Sequence, residues 1–294
     1  MFIPSKTADN AILLKNDPKY RDRIKAATGG NEALRKAWLE GDWNIVAGAF
    51  FDCWRQTKHV IRPFAIPEHW MRFRSGDWGS AKPFSIGWWA IVSDEHKTEE
   101  GVILPRGCMV RYREWYGVKK NDAGQTQYNV GLKLTAESVA EGIAQREKGE
   151  VIQYGTLDPA AFSEDGGPSI AERMLMSHRI IWQRADNARV ARRGALGGWD
   201  QMRSRMIGED EDRPMVVTFS TCVDSIRTIP VQQHDADNLE DIDTDGEDHA
   251  ADEWRYACMS RPYVKDAPNT PKPRFEHEMT FNELIERQRK RREE

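Results

Sequence analysis

Acidic and imidazole side chains cluster in the segment EDHAADEWRY, residues 247–256. Asp248 lies four positions before Asp252, and His249 lies three positions before it. Residues three or four positions apart share one face of a helix, so these side chains would project together if the segment is helical. The helix dipole also favours acidic residues in a first turn. The segment is therefore either a solvated helix start or a group that converges on a positive charge.

Two other aspartates end stretches that predict strands. Asp77 ends the apolar–polar alternation of residues 70–78, and Asp158 ends the apolar stretch of residues 151–159. Taken alone, each is explained by a turn in which the carboxylate accepts hydrogen bonds from backbone amides. If their strands are parallel neighbours, the two aspartates would meet at the carboxyl ends of the strands, where open α/β sheets bind ligands.

Three or four carboxylates in one cleft imply a metal. Like charges repel each other in a desolvated site unless a cation compensates them. Oxygen ligands favour Mg²⁺ or Mn²⁺ over zinc. Two such ions, about 3.5–4 Å apart, can activate a water molecule and stabilise the leaving oxygen in phosphodiester hydrolysis.

The elements that must position these residues predict an α/β domain. Three strands over 70–78, 84–92 and 107–117 precede a helix over 134–149. Further strands and helices then alternate, with strands over 151–159, 179–183 and 215–220 and helices over 168–176, 187–206 and 221–229. A last helix is predicted to begin near Asp245, because Thr244 and Glu247 have the spacing of a capping box. This order predicts a mixed sheet with helices on both faces.

Six stretches occur in an order that resembles a known family. They are FIPSKTADNAILLKNDPKY, LEGDW, GDWGSAKPFSIGWWAI, YGTLDPAAF, ADNARVARRGALGGWDQMRSR and EDIDTDGEDHAADEWRYAC, from about residue 2 to residue 260. With acids at the first strand, the fourth strand and a late helix, the chain resembles the RNase H-like superfamily, and more specifically the nuclease domain of the large terminase subunit of tailed bacteriophages. The resemblance implies an RNase H-like mixed sheet, in which three antiparallel strands are followed by alternating helices and parallel strands.

The same resemblance implies a function and its residues. The chain is expected to be an endonuclease that cleaves double-stranded DNA with two Mg²⁺ or Mn²⁺ ions during viral DNA packaging. Asp77, Asp158 and Asp252 are the expected catalytic residues. Asp77 and Asp158 are expected to bind metal together with a residue from the last helix, so the candidate ligands are Asp77, Asp158, Asp248, His249 and Asp252.

The resemblance also implies an organisation and partners. Residues 1–60 would be a lead-in that follows an ATPase domain, residues 61–265 the nuclease domain, and residues 266–294 a charged tail. The sequence has no GxxxxGK(S/T) loop, so no ATPase activity is expected of this chain. The expected partners are double-stranded DNA, the terminase ATPase domain and small subunit, and the capsid portal, in the host cytoplasm.

Basic residues between the second and third acidic motifs predict a DNA-binding surface. The formal net charge is -4, but residues 184–205 are rich in arginine while residues 235–252 are acidic. The candidate DNA contacts are Arg184, Arg189, Arg192, Arg193, Arg203 and Arg205, with Lys82 after the first aspartate. Either a solvated helix face or a phosphate contact explains any one arginine. The acidic residues 235–245 are interpreted as a loop that keeps DNA away until docking.

Two other functions remain open at this stage. One is a resolvase or transposase-type nuclease of the same superfamily. The other is a non-catalytic DNA-docking module of the packaging motor, whose acids only cap helices and turns. No apolar run approaches the ~18 residues of a membrane span, and the four scattered cysteines are expected to be free thiols.

Overall fold

A seven-stranded mixed sheet organises the chain in the computed structural model, which describes residues 49–164, 166–192, 196–210 and 212–263. The strands of this sheet are β1 (Val60–Ile61), β2 (Arg72–Asp77), β3 (Ser85–Ile91), β6 (Met109–Tyr116), β9 (Gly155–Leu157), β10 (Gln183–Arg184) and β11 (Val216–Phe219). Two separate hairpins pair β4 (His96–Lys97) with β5 (Ile103–Leu104) and β7 (Val118–Lys120) with β8 (Thr126–Gly131). The strand order in the main sheet is β1-β11-β6-β3-β2-β9-β10.

The first three long strands and the fourth have the predicted relations. β2 is antiparallel to β3, and β3 is antiparallel to β6. β9 is parallel to β2, with Gly76 opposite Leu157, and β10 is parallel to β9. The five strands β6-β3-β2-β9-β10 thus form the predicted RNase H-like sheet, which is confirmed. Two parallel strands, β11 and β1, extend it beyond β6.

Six α-helices of the described residues cover the two faces of the sheet. They are α1 (Gln56–His59), α2 (Ala136–Arg146), α3 (Ile170–His178), α4 (Gly198–Ile207), α5 (Val223–Thr228) and α6 (His249–Ser260). Val139 and Ile143 of α2 pack with Trp88 on one face. Trp254 of α6 packs with Trp89 on the other face. The side chains of a strand alternate between the two faces of a sheet. The continuous apolar run of β3 therefore contributes side chains to the cores on both faces.

Two helix predictions are wrong in their bounds. Helix α6 begins at His249 rather than near Asp245, because the Glu247 side chain pairs with Arg227 instead of capping. The predicted helix over 187–206 is helical only from Gly198. The Gly198 amide donates to the Ala188 carbonyl at 3.0 Å, a contact between residues ten apart that a continuous helix could not make. Residues 193–195 lie outside the described part.

Packed structure begins before the predicted boundary at residue 61. Phe50, Phe51 and Trp54 are buried in the core that also contains Trp199 and Trp254. Residues 49–60 are therefore part of the domain, because their aromatic side chains fill it. The described residues from 49 to 263 belong to one unit. Most of the predicted lead-in, residues 1–48, and the predicted tail, residues 266–294, lie outside the described residues. In the described part, no helix has both the length and the apolar character of a membrane span.

A buried ion pair joins α6 to the centre of the sheet. Arg111 on β6 and Glu253 on α6 are both fully buried, and Nη2 of Arg111 donates to Oε2 of Glu253 at 2.6 Å. Ser75 and the Trp89 indole, at 3.0 Å, also donate to this carboxylate. Gly87 lies beneath it, where a Cβ atom would collide with the Glu253 carboxylate. Burial lowers the pKa of Arg111, but the nearby carboxylates raise it by a larger amount. The net shift is upward, so the guanidinium stays charged.

A bulge in β6 places a second carboxylate against Arg111. The register with β3 shifts so that Trp88 faces Arg113 while Trp89 faces Arg111. Arg111 and Glu114 consequently share the α6 face although they are three residues apart, and they are joined at 2.5 Å. The other Glu114 oxygen accepts the Asp224 amide of α5 at 2.7 Å. Arg111 thus links β6, α5 and α6.

Removing one partner of this pair should destabilise the protein strongly. Glu253→Ala is expected to lower the free energy of unfolding by about 3–5 kcal/mol, because it leaves a buried guanidinium uncompensated. Urea unfolding followed by tryptophan fluorescence measures this loss. Glu137→Ala, which breaks the exposed pair between Glu137 and Arg173, should cause a much smaller loss. Equal losses in the two variants would contradict the assigned role of Glu253.

Candidate active site

The first two predicted aspartates lie at the same edge of the sheet. Asp77 is the last residue of β2, and Asp158 follows β9 directly. The Asp158 amide donates to the Gly76 carbonyl at 3.1 Å, which continues the parallel pairing up to the two carboxylates. Asp158 also caps a short 3₁₀ turn, and its side chain accepts the Ala160 amide at 3.2 Å. Both aspartates therefore lie at the carboxyl ends of parallel strands, and Asp158 has a turn contact as well.

Helix α6 brings the third predicted group to this edge. His249 Nδ1 lies 3.1 Å from Asp77 Oδ2 and 3.7 Å from Asp248 Oδ1. The Tyr256 hydroxyl, two turns along α6, donates to Asp158 Oδ1 at 3.4 Å. We call the five side chains of this edge the acid cluster: Asp77, Asp158, Asp248, His249 and Asp252.

Asp252 is bound by arginine in this structure. Arg255 Nε and Nη2 donate to Asp252 Oδ1 at 2.9 and 2.7 Å, and Arg189 Nη1 lies 3.6 Å from Oδ2. Arg255 is itself fixed by the Asn187 side chain at 3.0 Å. Arg189 is held by the Asp241 carboxylate at 2.8 Å. Two guanidinium groups thus offset part of the negative charge of the cluster.

Burial and mutual repulsion raise the pKa values of the acid cluster. Burial raises the pKa of Asp77 well above its usual range, and the charges of Asp252, Asp158 and Asp248 raise it further. Burial, followed by the Asp252 charge, raises the pKa of Asp248 to about 6. Burial lowers the pKa of His249 below its usual value. Burial in the cluster therefore favours the neutral forms of Asp77, Asp248 and His249.

The tautomer of His249 leaves a lone pair directed at Asp77. Asn129 of β8 donates its amide to the Gly246 carbonyl at 3.1 Å, so its Oδ1 faces His249 Nε2 at 3.0 Å. That oxygen can only accept, so the proton of the neutral imidazole lies on Nε2. Nδ1 and Asp77 Oδ2, 3.1 Å apart, are then two electron-rich atoms that need a proton or a cation between them.

The donor chemistry of the cluster fits a hard divalent cation. Carboxylate oxygens and a neutral imidazole nitrogen are common ligands, and the surplus negative charge favours a cation. Two buried hydroxyls at the same edge, those of Ser85 and Tyr116, have no hydrogen-bond partner among the described residues. No group of three acidic, histidine or cysteine side chains is already arranged around an ion position in the described ranges. Metal binding would therefore require some rearrangement of these side chains, and Asp252 could become a ligand only after release from Arg255.

The predicted DNA contacts divide into exposed and structural residues. Lys82, Arg184 and Arg192 are exposed. The charge of Lys82 contributes to the lowered pKa of His249, which places this lysine near the cluster. Arg189 is half-buried and pairs with two carboxylates, Asp241 and Asp252. The predicted contact Arg193 lies outside the described residues.

Two of the predicted DNA arginines hold the core together instead. Arg205 is buried and donates to the carbonyls of Gly107 and Met215, so its proposed exposure to DNA is corrected. Arg203 is half-buried, stacks on Phe50 at 3.9 Å and donates to the Phe50 carbonyl at 3.0 Å. Charge alone did not distinguish these arginines from exposed ones, because their neighbours come from distant parts of the chain.

The acidic segment 235–245 is tied to the core at Asp241. Asp241 accepts the Trp199 indole at 2.7 Å as well as Arg189, so this residue is not part of a detached acidic surface. Asp235 accepts the amides of Asp237 and Asn238 within the loop. His234 Nδ1 contacts the Leu239 carbonyl at 2.6 Å. None of these contacts places the loop's carboxylates in the acid cluster.

Sequence reasoning missed the residues that support the acid cluster. These are Ser85, Tyr116, Asn129, Arg255 and Tyr256. For Arg255 and Tyr256 a signal existed, since they lie three and four positions after Asp252 on the same helix. The other three lie on strands and reach the cluster through sheet register and a hairpin, for which the local sequence carries no signal.

Three solved structures resemble this fold. The large terminase of a thermophilic bacteriophage matches with a TM-score of 0.53 and 16% identity, over 83% of this chain and 51% of that one. The P22 large terminase nuclease domain has a TM-score of 0.49 and 15% identity, over 74% and 95% of the two chains. The cobalt-bound large terminase nuclease of another thermophilic phage, G20c, has a TM-score of 0.44 and 7% identity, over 72% and 97%. No family model matches the sequence, and no curated protein matches it either.

The first of these likenesses, together with the strand order, identifies the fold. This chain has the RNase H-like fold of a phage large terminase. It spans about half the length of the terminase that gives the highest of the three scores. The predicted fold class and the predicted resemblance are confirmed at the level of the fold.

The raised pKa of Asp248 predicts a pH-dependent effect on stability. Its folded-state pKa lies above its ordinary value of 3.8, so its favourable contribution is present at low pH and is lost as the pH rises through about 6. In EDTA, Asp248→Asn should therefore stabilise the protein at pH 8, by about 1–3 kcal/mol, and have little effect at pH 4.

Thermal unfolding at the two pH values checks this expectation. Asp245→Asn, which changes an exposed aspartate of the preceding loop, is the matched control and should show no comparable pH dependence. A stabilisation by Asp248→Asn that is equal at both pH values would contradict the electrostatic account of the cluster.

Proposed function

We propose that this chain is a metal-dependent endonuclease that cleaves double-stranded DNA. The observation that carries the proposal is the convergence of Asp77 and His249, whose facing atoms lie 3.1 Å apart and need a proton or a cation between them. The terminase-like fold supports the same conclusion, since the cluster lies at the carboxyl ends of its parallel strands. The burial of Asp77 and the surrounding negative charges add to the demand for cations.

In this proposal, Asp77 and Asp158 hold Mg²⁺ or Mn²⁺ together with a residue of α6. His249 is the best-oriented of the three α6 candidates, because its Nδ1 lone pair faces Asp77 and Asn129 holds its ring. Asp248 adds negative charge beside them, and Asp252 joins the ligands only after release from Arg255. When bound, two such ions supply an activated water and stabilise the leaving oxygen of the phosphodiester.

The exposed basic residues provide a path for the DNA backbone. Lys82 lies near His249, and Arg184 and Arg192 are exposed on the segment that follows β9. Arg189 lies beside Asp252 and would be available to a phosphate once a metal replaces its interaction with the carboxylate. Phosphate contacts carry no base information, so the proposed cleavage is largely independent of sequence.

The wider role proposed for the chain is that of the nuclease part of a viral DNA-packaging terminase large subunit. The proposed partners are a terminase ATPase domain, the small subunit and the capsid portal, in the cytoplasm of the host cell. We expect no ATP hydrolysis by this chain, since its sequence lacks a phosphate-binding GxxxxGK(S/T) loop.

A non-catalytic DNA-docking module is the second candidate. The tight contact of Asp252 with Arg255 and the lack, among the described residues, of a ready-made ligand arrangement favour it. In that case the acids would serve only helix ends and turns. Metal-dependent DNA cleavage separates the two candidates.

Replacement of Asp77 should abolish cleavage. With Mn²⁺ or Mg²⁺, the purified chain is expected to degrade plasmid and linear duplex DNA, and EDTA should prevent this. Asp77→Asn should reduce the rate at least about 100-fold, because it removes a charge on which the bound cations depend. Asp94→Asn, beyond the opposite end of β3, is the matched control. Metal-independent binding without any cleavage by the unaltered chain would favour the docking module.

Charge removal along the proposed DNA path should weaken DNA binding and its dependence on salt. The affinity for DNA falls as salt increases, so the log of the association constant K has a negative slope against log[salt]. The double variant Lys82→Ala/Arg192→Ala is expected to make this slope less steep by about 2, since each lost phosphate contact removes about one released counterion. Fluorescence anisotropy with labelled duplex in Ca²⁺ or EDTA measures this slope. Lys97→Ala/Arg106→Ala, which removes two exposed charges elsewhere, should leave it unchanged. A similar change in both variants would argue against the path.

A further inference from the structure

Two hydroxyl-bearing residues lie in register with Asp77 on the central strands. Asp77 of β2 is directly opposite Ser85 of β3, and Ser85 is directly opposite Tyr116 of β6. Directly opposed residues of an antiparallel pair point to the same face of a sheet. Asp77, Ser85 and Tyr116 therefore form a row on the face that α6 covers, at the edge where the acid cluster lies.

Both hydroxyls of this row are buried without a hydrogen-bond partner in the described part of the chain. Ser85 is 0% exposed and Tyr116 is 7% exposed, and neither hydroxyl oxygen has a partner among those residues. By contrast, Ser75, on the same face of β2, is bonded to Glu253, and Ser225 nearby is bonded to Glu114. A buried hydroxyl that lacks a partner costs about 1–3 kcal/mol, so its retention beside Asp77 calls for a reason.

Tyr116 packs beside the acid cluster, and its hydroxyl stays protonated there. Its ring packs against Ala250, the residue after His249, and against Val118. Burial raises the pKa of its hydroxyl, and the charges of Glu247, Asp224 and Asp77 act in the same direction. The group therefore stays protonated and can donate a hydrogen bond to an anionic or water oxygen. Ser85, between Tyr116 and Asp77, can donate in the same way.

We propose that Ser85 and Tyr116 are positioning residues for the metal site, donating hydrogen bonds to the Asp77 carboxylate and to water ordered there by a bound divalent cation. This inference rests on the proposed metal-dependent function. Cation binding would give hydrogen-bond acceptors to the Ser85 and Tyr116 hydroxyls, which lack partners among the described residues. Part of the binding free energy would come from these new hydrogen bonds. Groups that orient metal ligands typically contribute about 10–100-fold in metal affinity.

The test compares metal binding with metal-free stability in the full chain. Tyr116→Phe removes only the hydroxyl. In EDTA it should leave the melting temperature unchanged or raise it, because no hydrogen bond is lost. It should weaken Mn²⁺ binding about 10–100-fold, measured without DNA by electron paramagnetic resonance or calorimetry. The Mn²⁺-induced rise in melting temperature should shrink accordingly. Ser85→Ala should act in the same direction.

Tyr112→Phe is the matched control on the same strand. The Tyr112 hydroxyl donates to Glu150 at 2.7 Å, so its removal should lower the metal-free melting temperature and leave Mn²⁺ affinity unchanged. If the unaltered chain binds Mn²⁺ and Tyr116→Phe and Ser85→Ala bind it equally well, the inference is overturned while the proposed function stands. The inference would also be overturned if, without metal, Tyr116→Phe and Ser85→Ala lowered the melting temperature as much as Tyr112→Phe does. That result would show that the two hydroxyls have a structural role. If the unaltered chain binds no Mn²⁺ at all, both proposals fail.

Discussion

The buried ion pair between Arg111 and Glu253 determines where the candidate active site can form. Together with the packing of Trp254 on Trp89, it fixes the depth and rotation of α6 on the sheet. Asp252 precedes Glu253 directly, and His249 lies one turn earlier, so the position of the carboxylate at residue 253 sets the positions of both. An unpaired charge in this environment is far more costly than the pair, which makes alternative placements of the helix unfavourable. The candidate active site is therefore connected to the core through Glu253, the residue next to Asp252.

The acid cluster holds like charges close together, and groups of this chain offset part of their repulsion. Two features offset the repulsion: Arg255 and Arg189 bind Asp252, and burial favours protonated carboxyls at Asp77 and Asp248. Each feature occupies an atom that the proposed cations would use. In the proposed function, metal binding would therefore be an exchange of compensating charges, in which protons and a guanidinium leave as cations arrive. Such an exchange makes metal affinity depend on pH, since protons compete for the same oxygens.

Local sequence patterns predicted the strands and the acidic residues that end them. They did not predict the residues from other elements that contact the acid cluster. The alternation around Asp77 and the apolar stretch before Asp158 were sufficient to place both at strand ends. The parallel pairing of β2 with β9, which the sequence left as a condition, is present in the structure. The start of α6 was misplaced because Glu247, interpreted as a capping residue, pairs with Arg227 from another helix. Arg205 was misassigned to the surface for the same reason. Partners distant in the chain decided each of these cases.

The bulge in β6 has a consequence for the comparison of related chains. It displaces the strand by one residue, so that Arg111, Glu114 and Tyr116 all point toward α6 although strict alternation would turn Arg111 to the other side. A related chain that lacks the extra residue would have a regular strand with the same inward and outward positions on both sides of the bulge, whereas a one-residue deletion elsewhere in the strand would exchange them over part of its length. A one-residue gap in an alignment of this strand therefore belongs at Tyr112.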